Sequence, residues 1–93
     1  MDINITFHQM HHSDQLEEYC RKKMAKLEKY YSRIQDIHVV LEVKKLDHIV
    51  TVVAHLPQKR TIKADHITQE MYASIDGVYD KLERQLVDAN RTQ

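Results

Sequence analysis

Residues 2–8, "DINITFH", alternate strictly: Ile3, Ile5 and Phe7 fall on one side, Asp2, Asn4, Thr6 and His8 on the other. A period of two is that of a half-buried strand. The period then changes. Leu16, Cys20, Met24, Leu27, Tyr31 and Ile34 recur at spacings of three and four, which predicts a helix from 15 to about 34 with one apolar stripe. Ser13 or Asp14 can cap it; with Asp14 as N-cap, Glu17 falls at N3 and completes a capping-box-like pair. "DIHVVLEVKKL" returns to period two, with Ile37, Val39, Leu41 and Val43 on one face and His38, Val40, Glu42 and Lys44 on the other. "HIVTVVAHL" reads as a third strand, rich in β-branched residues. Pro57 lacks a backbone donor and opens a turn, "PQKR". "TIKADH" is a short fourth strand with Ile62 and Ala64 inward. Thr68 is the expected cap of a last helix with the stripe Met71, Ile75, Val78, Tyr79, Leu82 and Leu86. The tail "DANRTQ", from residue 88 to 93, is polar and expected to be flexible.

The predicted order is β-α-β-β-β-α. A strand, a helix and a strand imply a right-handed crossover with the first two strands parallel. Short connections then imply hairpins, and two amphipathic helices cover one face of a four-stranded sheet. The expected class is a two-layer α+β fold, analogous to the double-stranded RNA-binding domain. At 93 residues the chain is one domain, large enough for a modest core without staples.

Charge adds a second layer to this pattern. The chain holds 14 Lys and Arg against 14 Asp and Glu, yet residues 18–33 hold six cations and two acids. On a wheel with Leu16 at zero, Lys22, Lys26, Lys29 and Arg33 fall within about 220° to 280°, opposite the apolar stripe. Lys23 lies at the stripe's edge beside Tyr19 and Tyr30. In the last helix Lys81 and Arg84 fall at about 280° and 220° from Met71, with Gly77 between them in angle. Asp76, Asp80 and Glu83 take the other flank. Two helices with the same handed sorting of charge would, side by side, join their basic sides into one field. A solvated face explains either helix alone. The repetition makes a polyanion an equally good reading, since a row of Lys and Arg meets phosphates and releases counterions. Without zinc-finger spacing or an RNP-type aromatic strand, backbone and shape recognition is expected rather than base readout.

Other chemistry is sparse. The longest apolar run, "IVTVVAHL", is too short for a bilayer, and no basic-then-apolar leader opens the chain. One cysteine, Cys20, sits on the apolar stripe as a buried thiol, and a reducing cytoplasm is the expected location. Seven histidines show no ligand spacing: His11 and His12 are adjacent, while His38, His48, His55 and His66 are spread over strands. No metal is expected. Asp76, Asp80 and Glu83 read as a solvated flank, and Tyr72 and Tyr79 as core or rim packing. With one glycine there is no phosphate-cradling loop, and no nucleophile–base pair is visible. Neither catalysis, a cofactor nor a small-molecule substrate is expected.

The stretch "ADHITQEMYASIDGVYDKLERQL", residues 64–86, resembles the C-terminal half of the ribosome hibernation factors. Met71 to Asp76 and Asp80 to Leu86 match the family's Met-Tyr-Ala-x-Ile-Asp and Asp-Lys-Leu-x-Arg-Gln-Leu blocks. "INIT" at 3–6, "KMAKLEKYYSRI" at 23–34 and "HVVLEVKKL" at 38–46 match in the same order. The resemblance implies the same β-α-β-β-β-α fold. It also implies binding in the mRNA and tRNA channel of the small ribosomal subunit, against 16S-type rRNA, in stationary phase or stress. Short members act with a separate ribosome modulation factor to pair ribosomes into inactive dimers. The family's helix cations match Lys23, Lys26, Arg33, Lys81 and Arg84, and Lys22 and Lys29 extend that ridge. Three departures stand out. The basic tail of relatives is "VDANRTQ" here, a glycine turn is "PQKR", and a glycine after "NIT" is Phe7. Two other readings compete: a general duplex-RNA-binding module, and a protein-interaction domain using the acidic flank.

Overall fold

A computed structural model describes residues 1–91. In chain order the elements are β1 (Asp2–His8), α1 (Asp14–Ala25), a 3-10 turn (Lys26–Lys29), β2 (Asp36–Lys44), β3 (Asp47–Leu56), β4 (Arg60–Thr68) and α2 (Met71–Arg91). β1 pairs with β2 in parallel, Ile3 opposite Ile37 and Phe7 opposite Leu41. A parallel pair needs a long crossover, which α1 provides. Two antiparallel hairpins add β3 and β4, so the sheet order β1-β2-β3-β4 is the sequence order.

Alternation along the strands divides the sheet into two faces. Ile37, Val39 and Leu41 of β2, Val50, Val52, Ala54 and Leu56 of β3, and Ile62 of β4 are buried on one face. Cys20, Met24, Leu27, Tyr31 and Ile34 close on them from one side, and Met71, Ile75, Val78, Tyr79, Leu82 and Leu86 from the other. These are the predicted stripes, and together they form one core. The fold is therefore α+β, a mixed four-stranded sheet with both helices on one face. The opposite face carries Asn4, His38, Thr51 and Lys63, aligned in rows by the register. No helix among the described residues is long and apolar enough to cross a membrane.

Several local details depart from the predicted pattern. The first helix does not run to residue 34. It ends at Ala25, where the Lys26 N–H turns back to the Lys23 carbonyl, and the chain tightens into the 3-10 turn. Such tightening satisfies carbonyls that a helix end leaves open. Ser13, not Asp14, is the N-cap: its Oγ accepts from the Leu16 N–H at 3.3 Å, so Asp14 becomes the first helical residue and no Asp14–Glu17 box forms. At α2 the Glu70 carboxylate, not Thr68, accepts from the Tyr72 and Ala73 N–H groups. Thr68 instead accepts from the Glu70 N–H in a local turn. β4 reaches Thr68, beyond "TIKADH". α2 continues to Arg91 with Ala89 buried, so the first residues of the polar tail are helical; Thr92 and Gln93 lie outside the described residues.

Helix side chains cover part of both sheet edges. Arg21 of α1 donates to the Ile3 carbonyl at 2.9 Å on β1. On β4, Lys81 donates to the Asp65 carbonyl at 2.7 Å and Gln85 to the Lys63 carbonyl at 2.9 Å. Unpaired edge carbonyls are templates for another chain, and these contacts occupy three of them.

The β3–β4 turn places Gln58 at φ 64° and Lys59 at φ 60°, with the Arg60 N–H facing the Pro57 carbonyl at 3.4 Å. Two positive φ values in the middle of a hairpin turn are the type I′ arrangement, which favours Asn-Gly. Gln58→Asn with Lys59→Gly is expected to stabilise the fold by about 1 kcal/mol, read from the urea midpoint. An unchanged or lower midpoint contradicts a type I′ turn at these two residues.

Cys20 is fully buried. Burial pushes its thiol up to about 12, with Glu17 adding to the shift and Arg21 opposing it. Thiolate is the reactive form. Alkylation of the native protein at pH 8 is expected to be slow, and to become fast only in denaturant.

Candidate nucleic-acid interface

The cations are placed by how the two helices meet. Tyr19 packs edge-on against Tyr72, with ring centroids 5.0 Å apart. Its hydroxyl donates to Asp76 Oδ1 at 2.5 Å. One turn on, Lys23 Nζ lies 3.3 Å from the same Asp76 oxygen and 4.9 Å from the Tyr79 ring centre. Contacts advance in the same sense along both helices, so α1 and α2 run side by side in one direction. The hydrogen bond to Asp76 is the main reason the Tyr19 hydroxyl is pushed up to about 12, with burial adding to it. Burial raises the Tyr79 hydroxyl as well, followed by its hydrogen bond with Tyr30 and the nearby carboxylates of Glu83 and Asp80.

This arrangement overturns the joined basic field. Asp76 bridges to α1, with Tyr19 and Lys23 on one of its oxygens, while Asp80 is exposed and Glu83 half-buried on the same helix. The Asp76 side of α2 therefore turns toward α1. The basic side of α2 turns the other way, toward β4, where Lys81 reaches the Asp65 carbonyl. The cations form two groups with Asp76 between them.

The first group follows α1. Lys22, Lys26, Lys29 and Arg33 are all exposed. Lys22 pairs with Glu18 at 2.9 Å, a mostly solvated i,i+4 contact that competes weakly with a ligand. Lys26 makes no ion pair among the described residues. Lys29 Nζ lies 5.3 Å from the Tyr30 ring centre, and the Arg33 guanidinium 5.6 Å from that of Tyr31. In a 3-10 turn residues three apart eclipse one another, so Lys26 and Lys29 still project on one side. Arg33 lies in the turn after the helix, where a helical wheel does not place it. Lys23, unlike these, is held between the helices.

The second group lines an open groove of about 550 Å³ between α2 and the β4 edge, bounded by Lys63, Asp65, Lys81, Arg84 and Gln85. Gly77 lets the helix approach: a Cβ there would collide with the His66 ring of β4. Lys81 keeps donor capacity after its carbonyl contact, because an ammonium has three N–H groups. Lys63 was not singled out from the sequence. Its signal was the strand alternation, which turns it away from Ile62 and Ala64.

The outer sheet face holds a different constellation. Register sets Asp36 opposite His55, and His38 follows two residues later on the same face. Histidines without ligand spacing in the sequence thus meet a carboxylate in the fold.

Comparison with known proteins gives this geometry a family. The model described as sigma 54 modulation protein / S30EA ribosomal protein matches residues 3–93. The ribosome hibernation promoting factor of Salmonella typhimurium is 44% identical over 86 residues, covering 92% of this chain and 90% of that protein. That of Azotobacter vinelandii is 34% identical over 94 residues, covering 100% of this chain and 86% of its own. Among solved structures, a ribosomal subunit interface protein from Coxiella burnetii superposes with a TM-score of 0.91 at 31% identity, covering 98% of this chain and 99% of that one. The N-terminal domain of Thermus thermophilus Protein Y has a TM-score of 0.85 at 24% identity, over 95% and 98% of the two chains, and shares the fold. The family match over residues 3–93, with a relative 44% identical over 92% of this chain, establishes that the chain belongs to the sigma 54 modulation protein / S30EA family, that of the ribosome hibernation promoting factors.

Proposed function

We propose that this protein binds the small ribosomal subunit in its mRNA and tRNA channel, against 16S rRNA, and keeps the ribosome idle by occlusion. The observation that carries the reading is the pair of exposed cation groups, Lys22, Lys26, Lys29 and Arg33 on one side and Lys63, Lys81 and Arg84 on the other. They stand in a chain of zero formal net charge whose relatives are ribosome hibernation promoting factors. Neutral overall charge gives no general attraction to RNA, so binding depends on where the cations stand. Two groups separated by Asp76 suit a partner whose phosphates lie on two nearby strands. Lys and Arg at that spacing read backbone and shape rather than bases.

Occlusion needs no catalysis and no cofactor. The protein acts where ribosomes are, in the cytoplasm, during stationary phase or stress. A ribosome modulation factor on the same ribosome is the expected collaborator in forming inactive dimers. The test is cosedimentation with purified small subunits over a salt series. Contact with about five phosphates gives a slope of log K against log salt of roughly −4. No ribosome-bound fraction at low salt sinks the proposal. Competition by free duplex RNA as strong as by small subunits would assign the chain a general duplex-binding role instead.

A further inference from the structure

The outer sheet face carries a side-chain cluster that the helix-borne cations do not involve. β2 and β3 pair antiparallel, which sets Asp36 directly opposite His55. His38, two residues along β2, points to the same side. Asp36 Oδ1 lies 2.5 Å from His55 Nδ1 and 3.3 Å from His38 Nε2, and the two imidazole rings stand edge to face at 5.6 Å. All three donor atoms lie within 4.8 Å of one another. The strand ends are held together at this point, since the Gln35 N–H donates to the His55 carbonyl at 2.8 Å.

We propose that Asp36, His38 and His55 form a binding site for one divalent first-row transition-metal ion, of which zinc is the probe. Zinc takes imidazole nitrogen and carboxylate oxygen at about 2.0–2.2 Å in a tetrahedron, which puts neighbouring donor atoms roughly 3.3 Å apart. The Asp36–His38 separation of 3.3 Å already matches that value and the Asp36–His55 one, at 2.5 Å, is shorter, so small side-chain rotations close the set around an ion. The three residues supply two imidazoles and one carboxylate, a donor set that suits zinc, nickel or copper. Calcium and magnesium need six or more oxygen ligands and are not expected to bind. The ligands sit on paired strands rather than a loop, so their spacing is pre-set by the ladder. Each side chain is partly exposed, Asp36 at 32%, His38 at 48% and His55 at 42%, which leaves an open side for ion entry and a solvent ligand.

A second histidine near acids marks what distinguishes this cluster. His12 lies 2.8 Å from Asp14 and 3.3 Å from Glu17 at the start of α1. It offers one imidazole, and its nearer carboxylate is 97% exposed. A single imidazole with solvated carboxylates holds a borderline ion far less well.

Isothermal titration of the tag-free protein with zinc chloride tests the proposal. One ion per chain is expected, with affinity reduced at least about tenfold by His38→Ala or His55→Ala. His12→Ala should bind as the unsubstituted protein does, and magnesium chloride should give no saturable heat. Circular dichroism of each variant confirms folding, since these side chains lie outside the core. Absence of saturable zinc binding by the unsubstituted protein overturns the site, and so does equal binding by the His38→Ala/His55→Ala double variant. Dependence on His12 moves the ion elsewhere and overturns it too. Small-subunit cosedimentation is expected to be unchanged in the double variant, which separates this proposal from the ribosome-binding one.

Discussion

Replacing Lys22, Lys26, Lys29 and Arg84 together by glutamate is expected to abolish small-subunit binding while leaving the fold intact. All four side chains are exposed, and none is held between the helices. Each lost phosphate contact should reduce the salt slope by about one, so the roughly −4 of the native protein falls toward zero. The substitutions also take the formal net charge from zero to about −8, four cations lost and four acids gained. A matched control separates place from total. Glutamate at Lys44, Lys45, Lys59 and Arg60, on the two hairpin turns, changes the net charge equally. Retained binding in the control and lost binding in the first variant support the assigned surface. Equal losses would mean that net charge alone governs association. Lys23 is left out for a structural reason. A carboxylate there would face Asp76 at the position of the present 3.3 Å ion pair, so weakened binding would report a damaged helix contact.

The second large effect runs against helix propensity. Glycine to alanine inside a helix ordinarily gains up to about 1 kcal/mol. Gly77→Ala is expected instead to destabilise the protein by about 1–3 kcal/mol, because the new methyl meets the His66 ring of β4. The nearest ring atoms include Cγ, close to the backbone, so a rotation of the ring does not clear them easily. Pushing α2 away from β4 also strains the Lys81 and Gln85 contacts with the strand's edge carbonyls. Urea unfolding of Gly77→Ala, His66→Ala and the double variant forms a thermodynamic cycle. The clash predicts that most of the loss disappears when His66 is already alanine. A stabilised Gly77→Ala contradicts the close approach of helix and strand.

Most of the fold was legible because burial is periodic. Ile37, Val39 and Leu41 alternate, Met71, Ile75, Val78, Leu82 and Leu86 recur by helical turns, and the structure buries every one of them. Local chemistry was less legible where two neighbours compete for the same role. Ser13 and Asp14 both cap helices well, and only the backbone geometry selects Ser13. Glu70 displaced Thr68 for a similar reason, since its carboxylate reaches two free N–H groups at once. The apolar stripe runs unbroken to Ile34 because spacings of three and four fit both an α-helix and a 3-10 turn, and only the backbone shows the change at Lys26.

The sequence by itself determined the class and order of elements, the core residues and the exposed character of the helix cations. These depend on the period of apolar positions, which a chain carries without reference to distant partners. It also carried the family resemblance, in blocks such as Met71 to Asp76. Tertiary structure alone decided which flank of α2 faces α1. A helical wheel gives angles within one helix but no direction between two. Once Lys23 and Tyr19 meet Asp76, that acid comes between the basic groups, and Lys63 joins Lys81 and Arg84 across the groove. Strand pairing likewise brought Asp36, His38 and His55 together, because register, not spacing along the chain, sets which side chains of different strands are neighbours.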